Sequence, residues 1–251
     1  LHLSLRRQRQ MCIRDRAVGG RQEISSELLG IEGRFSLFAT VIFFLVLATV
    51  TSNPFQRLPH TPIDGRGLNP LLRNPMMVFH PPSLYIGFVG FTVPFAFAMA
   101  ALAMNRLDIA WIRKIRRWAL FAWLFLTVGN LLGAQWAYVE LGWGGYWGWD
   151  PVENGSLMPW ITGTAFLHSV VVQERRGMFR VWNFSLIIIT FALTVLGTFI
   201  TRSGVISSVH AFGQSSMGPL FLVFLFAVLG ISFGLLFRRM PALRARLEIR
   251  S

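Results

Sequence analysis

The chain has 251 residues, of which 53% are hydrophobic and only 14% are charged. Soluble domains carry about a quarter charged residues, so this composition excludes an ordinary soluble protein and favours one that lies in a lipid bilayer. The formal net charge is +13. Its arginines lie between apolar stretches rather than along one helix face, which argues against nucleic-acid binding and is typical of membrane-protein loops.

Six long apolar stretches follow one another along the chain. Each is close to the ~20 residues that an α-helix needs to cross the hydrocarbon core, and they are too long and uninterrupted to be strands. They predict an all-α integral membrane protein, a polytopic bundle of about six transmembrane helices. The stretches are Phe35–Thr51, Ser83–Met104, Trp118–Tyr138, Leu157–Val172, Asn183–Ile200 and Pro219–Phe237. Pro94 is expected to kink the second helix.

The two ends of the chain differ from the rest. Residues 1–20 are rich in Arg and Gln without periodicity, and we interpret them as an artefact or a disordered leader. Residues 30–240 form the predicted membrane domain, and residues 241–251 a basic cytoplasmic tail. The single cysteine, Cys12, lies in the leader. The chain has no C-x-x-C-H sequence, so it is not itself a c-type cytochrome.

Loop charge predicts the orientation. Arginine is concentrated in the loops around residues 105–117 and 173–180 and after residue 237, and sparse in the longer opposite segments. The positive-inside rule places the arginine-rich loops in the cytoplasm. Segments 52–82, 139–156 and 201–218 are therefore expected on the outer side.

The outer segment after the third stretch carries an unusual loop, Trp-Gly-Gly-Tyr-Trp-Gly-Trp-Asp, from Trp143 to Asp150. Tryptophan gathers at membrane interfaces, which is the alternative explanation. An interfacial belt, however, does not require interleaved glycines. Glycine lets the backbone approach a flat ligand and tryptophan offers large flat faces, so this outward-facing Trp-rich loop suits a porphyrin. Asp150 is expected to cap the next helix or to pair with Arg202.

Three histidines are candidate metal ligands. His168 lies inside the fourth stretch, where an ionisable group is costly to bury and is a candidate haem ligand; the alternative is a hydrogen bond to a neighbouring helix. His80 precedes Pro81-Pro82 just before the second stretch, and His210 follows the fifth. Both are expected at the outer face, where they would clamp one planar metal macrocycle or be two unrelated interfacial histidines. His60 is interpreted as a solvated loop residue.

The loop and its continuation, Trp143 to Asn154, resemble the WWD signature of haem-handling membrane proteins, in the form found in the CcmF-type cytochrome c biogenesis family. Phe79-His-Pro-Pro82, the sequence Gly163 to Ser169 around His168, and Thr198 to Val205 followed by Ser208-Val-His-Ala211 agree with it. The resemblance covers about residues 30–240. Proteins of that family are longer, so the chain resembles an interior fragment.

The resemblance implies a role in the haem lyase of cytochrome c maturation, which attaches haem covalently to apocytochrome c. It implies that His80 and His210 ligate the iron of the incoming haem beside the loop, and that His168 holds a resident haem b whose second histidine lies beyond this chain. Implied partners are a haem chaperone, apocytochrome c, other maturation subunits and membrane lipid, in a bacterial inner membrane with the loop periplasmic. The loop residues implied in haem binding are Trp143, Gly144, Gly145, Trp147, Trp149 and Asp150.

Other functions are compatible with the same sequence. Within the family they are a nitrite-reductase-type paralogue and a CcsA- or CcmC-like haem exporter. Outside it they are a transporter of another small molecule and a structural scaffold. Asp-Pro-Val-Glu-Asn after the loop and Thr201-Arg-Ser-Gly204 favour the CcmF-type assignment.

Overall fold

The computed structural model describes residues 31–51, 53–57, 59–65, 67–107, 109–206, 208–210 and 217–248. The predicted leader, residues 1–20 with Cys12, lies outside the described residues. Every regular element in these ranges is helical. Of the predicted tail, residues 241–248 continue the last helix and residues 249–251 are outside the described part.

Seven α-helices make up the described chain. A π-helical turn, Leu47–Thr51, continues the first of them, and a short 3₁₀ turn, Pro70–Leu72, precedes the second. The helices are α1 (Ile31–Val46), α2 (Met76–Gly90), α3 (Thr92–Ala103), α4 (Ala110–Glu140), α5 (Pro151–Arg176), α6 (Arg180–Arg202) and α7 (Gly218–Glu248).

Six helical segments of the described chain are long and apolar enough to cross a membrane, with α2 and α3 together forming one of 28 residues. The predicted fold class, an all-α polytopic membrane protein, is confirmed. The six segments are Gly33–Thr51, Met76–Ala103, Trp111–Glu140, Pro151–Arg176, Arg180–Arg202 and Gly218–Leu243.

The second span begins at Met76 rather than at the predicted Ser83. Pro81 and Pro82 lie inside α2, not in front of it. Proline cannot donate to the carbonyl four residues earlier, so Pro81 and Pro82 each remove one hydrogen bond from the interior of α2. His80 is therefore a helical residue rather than a loop residue.

A one-residue break separates α2 from α3. The amide of Phe91 shares the carbonyls of Gly87 and Phe88, each at 3.3 Å. Pro94 follows three residues later and cannot donate to the carbonyl of Gly90, so the ladder is interrupted there. The helix is thus interrupted at Phe91, three residues before Pro94, at which the sequence predicts a kink.

The hydrophobic core lies around α3, which contacts α1, α4, α6 and α7. Its residues from Phe95 to Leu102 are all buried. Phe95 stacks on Phe191 of α6 at 4.1 Å between ring centroids, and Trp111 of α4 stacks on Phe184 at 4.3 Å. This core occupies the end of the bundle opposite the Trp-rich loop. At the loop end, α2 packs on α4 and α5 on α6.

Candidate functional site

A cavity of about 520 Å³ opens at the loop end of the bundle, among α2, α5, α6 and the segment that leads into α2. His80 and His210 both line it. A smaller recess of about 30 Å³, bounded by Trp147 and Glu153, also touches both histidines. The structure therefore brings together the two histidines that were predicted to act as a pair, although α3, α4, α5 and α6 separate them in the chain.

His80 is held against α4. Its Nδ1 lies 2.8 Å from the carbonyl oxygen of Gly129. A carbonyl can only accept, so Nδ1 carries the proton and donates, which leaves Nε2 of the neutral ring as the atom able to bind a metal. The ring lies directly on Gly133: a methyl group at that position would be 2.8 Å from Nδ1. Gly129 and Gly133 thus form the seat of His80.

His210 is held by the start of α5 and by two tryptophans. Its Nδ1 lies 3.1 Å from Oδ2 of Asp150. Trp136 contacts its ring edge-on at 5.2 Å between centroids, and Trp143 lies at 6.2 Å. Nε2 is 4.0 Å from Oε1 of Glu153, which is beyond hydrogen-bonding distance. As in His80, Nδ1 is engaged and Nε2 is the atom able to bind a metal.

Asp150 and Glu153 join the Trp-rich loop to α5 through a capping box. Asp150 Oδ2 accepts from the amide of Val152 at 3.0 Å and from the hydroxyl of Ser208 at 2.6 Å. Glu153 Oε2 accepts from the amides of Gly148 at 2.9 Å and Asp150 at 3.3 Å. The predicted helix cap at Asp150 is confirmed, and the same carboxylate also holds the segment that carries His210.

The loop between α4 and α5 presents its tryptophans unequally. Trp143 donates from Nε1 to the carbonyl of Gly145 at 2.9 Å and packs its ring over Gly148. Trp147 lines the smaller recess, and its buried Nε1 has no hydrogen-bond partner. Trp149 is 71% exposed and lines neither cavity.

Three residues between α4 and α5 have a left-handed backbone conformation, with positive φ. Gly142 and Gly144 adopt φ of 68° and 75°, which glycine tolerates without strain. Trp149 has φ of 57°, an uncommon value for a bulky side chain. Gly144 has no atom within 4 Å of where a side chain would begin, and Gly145 has only a carbonyl at 4.0 Å. The predicted loop residues Gly144 and Gly145 therefore present open backbone.

The other two histidines of the described chain lie elsewhere. His168 is on an exposed face of α5 together with Ile161 and Ala165, and it lines neither cavity. His60 is exposed in the loop before α2, as expected. The structure thus places His168 apart from the cavity that His80 and His210 line.

The donor set of the cavity restricts the kind of metal that fits. Across the described residues, no group of three or more His, Cys, Asp or Glu side chains is placed to hold a metal ion. Two imidazoles alone do not chelate a bare ion firmly, but they suffice as axial ligands when a macrocycle supplies the equatorial nitrogens. Trp147, whose buried Nε1 has no hydrogen-bond partner, lines the same recess as both histidines and adds a donor for a polar ligand group.

Sequence reasoning missed four residues that build the site: Gly129, Gly133, Trp136 and Ser208. The Gly-x-x-x-Gly spacing was visible, but it signals close helix packing in general and does not show that an imidazole fills the gap. Trp136 is fully buried and donates to the carbonyl of Leu71 at 2.8 Å. Nothing in its sequence context distinguishes it from an interfacial tryptophan.

Fold and site together define a polytopic helical membrane protein with a two-histidine cavity beside a Trp-rich loop. The model of the family described as "Cytochrome C assembly protein" matches residues 25–206. The chain belongs to this family, as the sequence resemblance implied. The matched range includes His80, the loop and His168, while His210 lies four residues beyond it.

Individual relatives of the chain support its assignment to this family. The cytochrome c-type biogenesis protein CcmF of Pseudomonas aeruginosa is 54% identical over 205 residues, 81% of this chain and 31% of that protein. The cytochrome c-type biogenesis protein NrfE of Haemophilus influenzae is 48% identical over 202 residues, 80% of this chain and 32% of that protein. A solved structure of "Cytochrome c Heme Lyase CcmF" matches with a TM-score of 0.67 and 39% identity, and covers 85% of this chain and 31% of that one. The chain therefore spans about a third of the length of these relatives.

Proposed function

We propose that the chain is part of a haem lyase of cytochrome c maturation and holds haem between His80 and His210, beside the Trp-rich loop. The observation that carries this proposal is the pairing of the two histidines at one cavity, each with Nδ1 engaged. Ring nitrogens tied in this way keep Nε2 available for iron and fix the orientation of the ring.

The cavity lining supports haem as the substrate. Apolar side chains of α2, such as Leu84 and Phe88, line it together with Thr198, Thr201 and Arg202 of α6. An apolar wall with a few convergent polar groups is typical of a ligand site, and this lining matches a macrocycle with an apolar edge and two carboxylates. When bound, haem supplies the vinyl groups that form thioether bonds with the apocytochrome cysteines. The residues of this chain bind, orient and shield it.

The proposed partners and location extend the family resemblance and the distribution of charge along the chain. The partners are a haem chaperone that delivers haem, apocytochrome c that accepts it, and other membrane subunits of the maturation system. The membrane is the bacterial inner membrane, with the Trp-rich loop on the periplasmic side, because arginine concentrates at the opposite end of the bundle. His168 is proposed as one ligand of a separate, resident haem b.

The test replaces the two histidines in the full-length protein. His80→Ala, His210→Ala and the double variant are purified from membranes, and haem absorbance and cytochrome c yield are measured. We expect the double variant to lose the haem of this site and most of the cytochrome c yield. His60→Ala, at an exposed loop position, is the matched control. Unchanged bound haem and unchanged yield in the double variant would show that the proposal is wrong.

The similarity to NrfE favours one second candidate, a paralogue of the nitrite-reductase type that holds haem in the same way but serves a different cytochrome. The two candidates share the site and differ in the acceptor. Supplying one apocytochrome at a time to cells that lack their own maturation genes distinguishes them. A haem exporter of the same superfamily would move haem across the membrane without any acceptor being present.

A further inference from the structure

His80 and His210 differ in the charge of the group that accepts a hydrogen bond from Nδ1. His80 donates to a backbone carbonyl, that of Gly129, which is neutral. His210 donates to the carboxylate of Asp150. A hydrogen bond to an ionised acceptor is about twice as strong as one between neutral groups, so the two imidazoles are not equivalent as ligands.

The Asp150 carboxylate is well placed to influence His210. Its side chain is only 11% exposed, and that of His210 is 12% exposed, so solvent screens the contact weakly. Oδ2 of Asp150 also accepts from the hydroxyl of Ser208, and this hydroxyl in turn accepts from the amide of His210 at 3.0 Å. The carboxylate thus holds both the ring and the backbone of the ligand.

We propose that Asp150 is a positioning residue that acts through His210 and makes it the stronger iron ligand of the pair. This inference rests on the function proposed above. A carboxylate that accepts from Nδ1 increases the electron density that Nε2 donates to a bound metal. Stronger donation favours the ferric state and lowers the reduction potential of the iron.

The alternative is that Asp150 only caps α5. Substitutions at this position separate the two roles, because Asn and Ser cap helices about as well as Asp. Asp150→Asn keeps the cap and offers His210 a neutral acceptor, like the one that His80 has. Asp150→Ser keeps the cap with a side chain too short to hold the ring. Glu174→Gln is the matched control: Glu174 is on the same helix, and it bonds Arg116 instead of a histidine.

The experiment uses the full-length protein purified with haem. The haem of this site is the fraction that is lost from the His80→Ala/His210→Ala double variant. We expect Asp150→Asn to raise the reduction potential of that haem and to lower its affinity about 10- to 100-fold, the usual effect of removing an outer-shell partner. Asp150→Ser is expected to lower the affinity at least as much, and Glu174→Gln to change neither property.

A second readout compares the single histidine variants. With Asp150 present, His80→Ala keeps the stronger ligand and is expected to retain more haem than His210→Ala. In the Asp150→Asn background this difference is expected to disappear. A merely structural role of Asp150 would lower the thermal unfolding midpoint without changing the potential or this order.

Two failures are distinguishable. If the double histidine variant retains all of its haem, the proposed function is wrong. If the double variant loses haem while Asp150→Asn keeps the wild-type potential and affinity, the site exists and the role assigned to Asp150 is wrong. Equal haem retention by the two single histidine variants in the wild-type background would also overturn it.

Discussion

Gly133 determines how closely the ring of His80 can approach α4. The imidazole occupies the space that a larger residue's side chain would need, and its Nδ1 bonds the carbonyl of Gly129 one turn earlier. The absence of a Cβ is therefore what allows the donor and acceptor to meet. At the scale of single residues, the site depends on the lack of a side chain at Gly133 as much as on the imidazole of His80.

We predict that Gly133→Ala displaces His80. The added methyl group would lie 2.8 Å from Nδ1, inside van der Waals contact. Overpacking of this kind costs about 1–3 kcal/mol, and the ring can relieve it only by giving up the bond to Gly129. The haem of the site, measured by absorbance of the purified protein, is expected to fall as far as in His80→Ala.

Gly230→Ala is the matched control for this substitution. Gly230 lies inside α7 with no atom within 4 Å of the added group, and Ala favours a helix interior by about 1 kcal/mol over Gly. Its haem content is expected to be unchanged. If Gly133→Ala retained the haem of wild type, His80 would not need its seat on α4, and the site as described would be wrong.

Arg239 of α7 bonds the end of α3. Its guanidinium donates from Nε to the carbonyl of Leu102 at 2.9 Å and from Nη2 to that of Ala103 at 2.8 Å. The last carbonyls of a helix have no partner within the helix, and a cation at this end also interacts favourably with the helix dipole. At the scale of elements, α7 thus adds side-chain donors to the carbonyls at the end of the buried helix α3.

We predict that Arg239→Met destabilises the bundle by about 1.5–3 kcal/mol, the range for hydrogen bonds that involve a charged group. Methionine keeps much of the apolar stem but removes the two hydrogen bonds that the guanidinium donates to these carbonyls. Arg238→Met is the control, because the neighbouring Arg238 is exposed, and its effect is expected to stay within about 0.5 kcal/mol. The unfolding free energy in detergent measures both. Equal effects of the two substitutions would contradict the capping role.

The two ends of the whole bundle differ in charge. One end is rich in arginine and contains the α3–α4 connection, the α5–α6 connection and the last residues of α7. The opposite end contains the Trp-rich loop and the two-histidine cavity. Because basic loops stay in the cytoplasm, the whole molecule is expected to present its cavity to the other side of the membrane.

We predict that thiol labelling from outside the cell distinguishes the two ends. In a Cys12→Ser background, which removes the single cysteine of this chain, Gln56→Cys reports on the loop end and Arg113→Cys on the arginine-rich end. Both positions are exposed. A membrane-impermeant maleimide applied to spheroplasts is expected to label Gln56→Cys at once and Arg113→Cys only after lysis. The reverse pattern would invert the proposed orientation.

Several features were predictable because they depend on local chemistry. Runs of apolar residues set the number of spans, and Asp150 was expected to cap the helix that follows the loop, as it does. The start of α2 was not predictable in the same way. Pro81-Pro82 usually excludes a helix interior, yet packing of α2 on α4 outweighs the lost hydrogen bonds.

By itself, the sequence determined the class of the molecule: a polytopic helical membrane protein of the cytochrome c assembly family, with a Trp-rich loop and a few histidines. Only the tertiary structure decided which of these histidines line the same cavity and which groups hold their rings. The bond from His80 to Gly129 spans 49 positions, and that from His210 to Asp150 spans 60. Such contacts depend on how α2, α4 and α5 pack, and hydrophobic periodicity records which face of a helix is apolar but not which neighbour covers it.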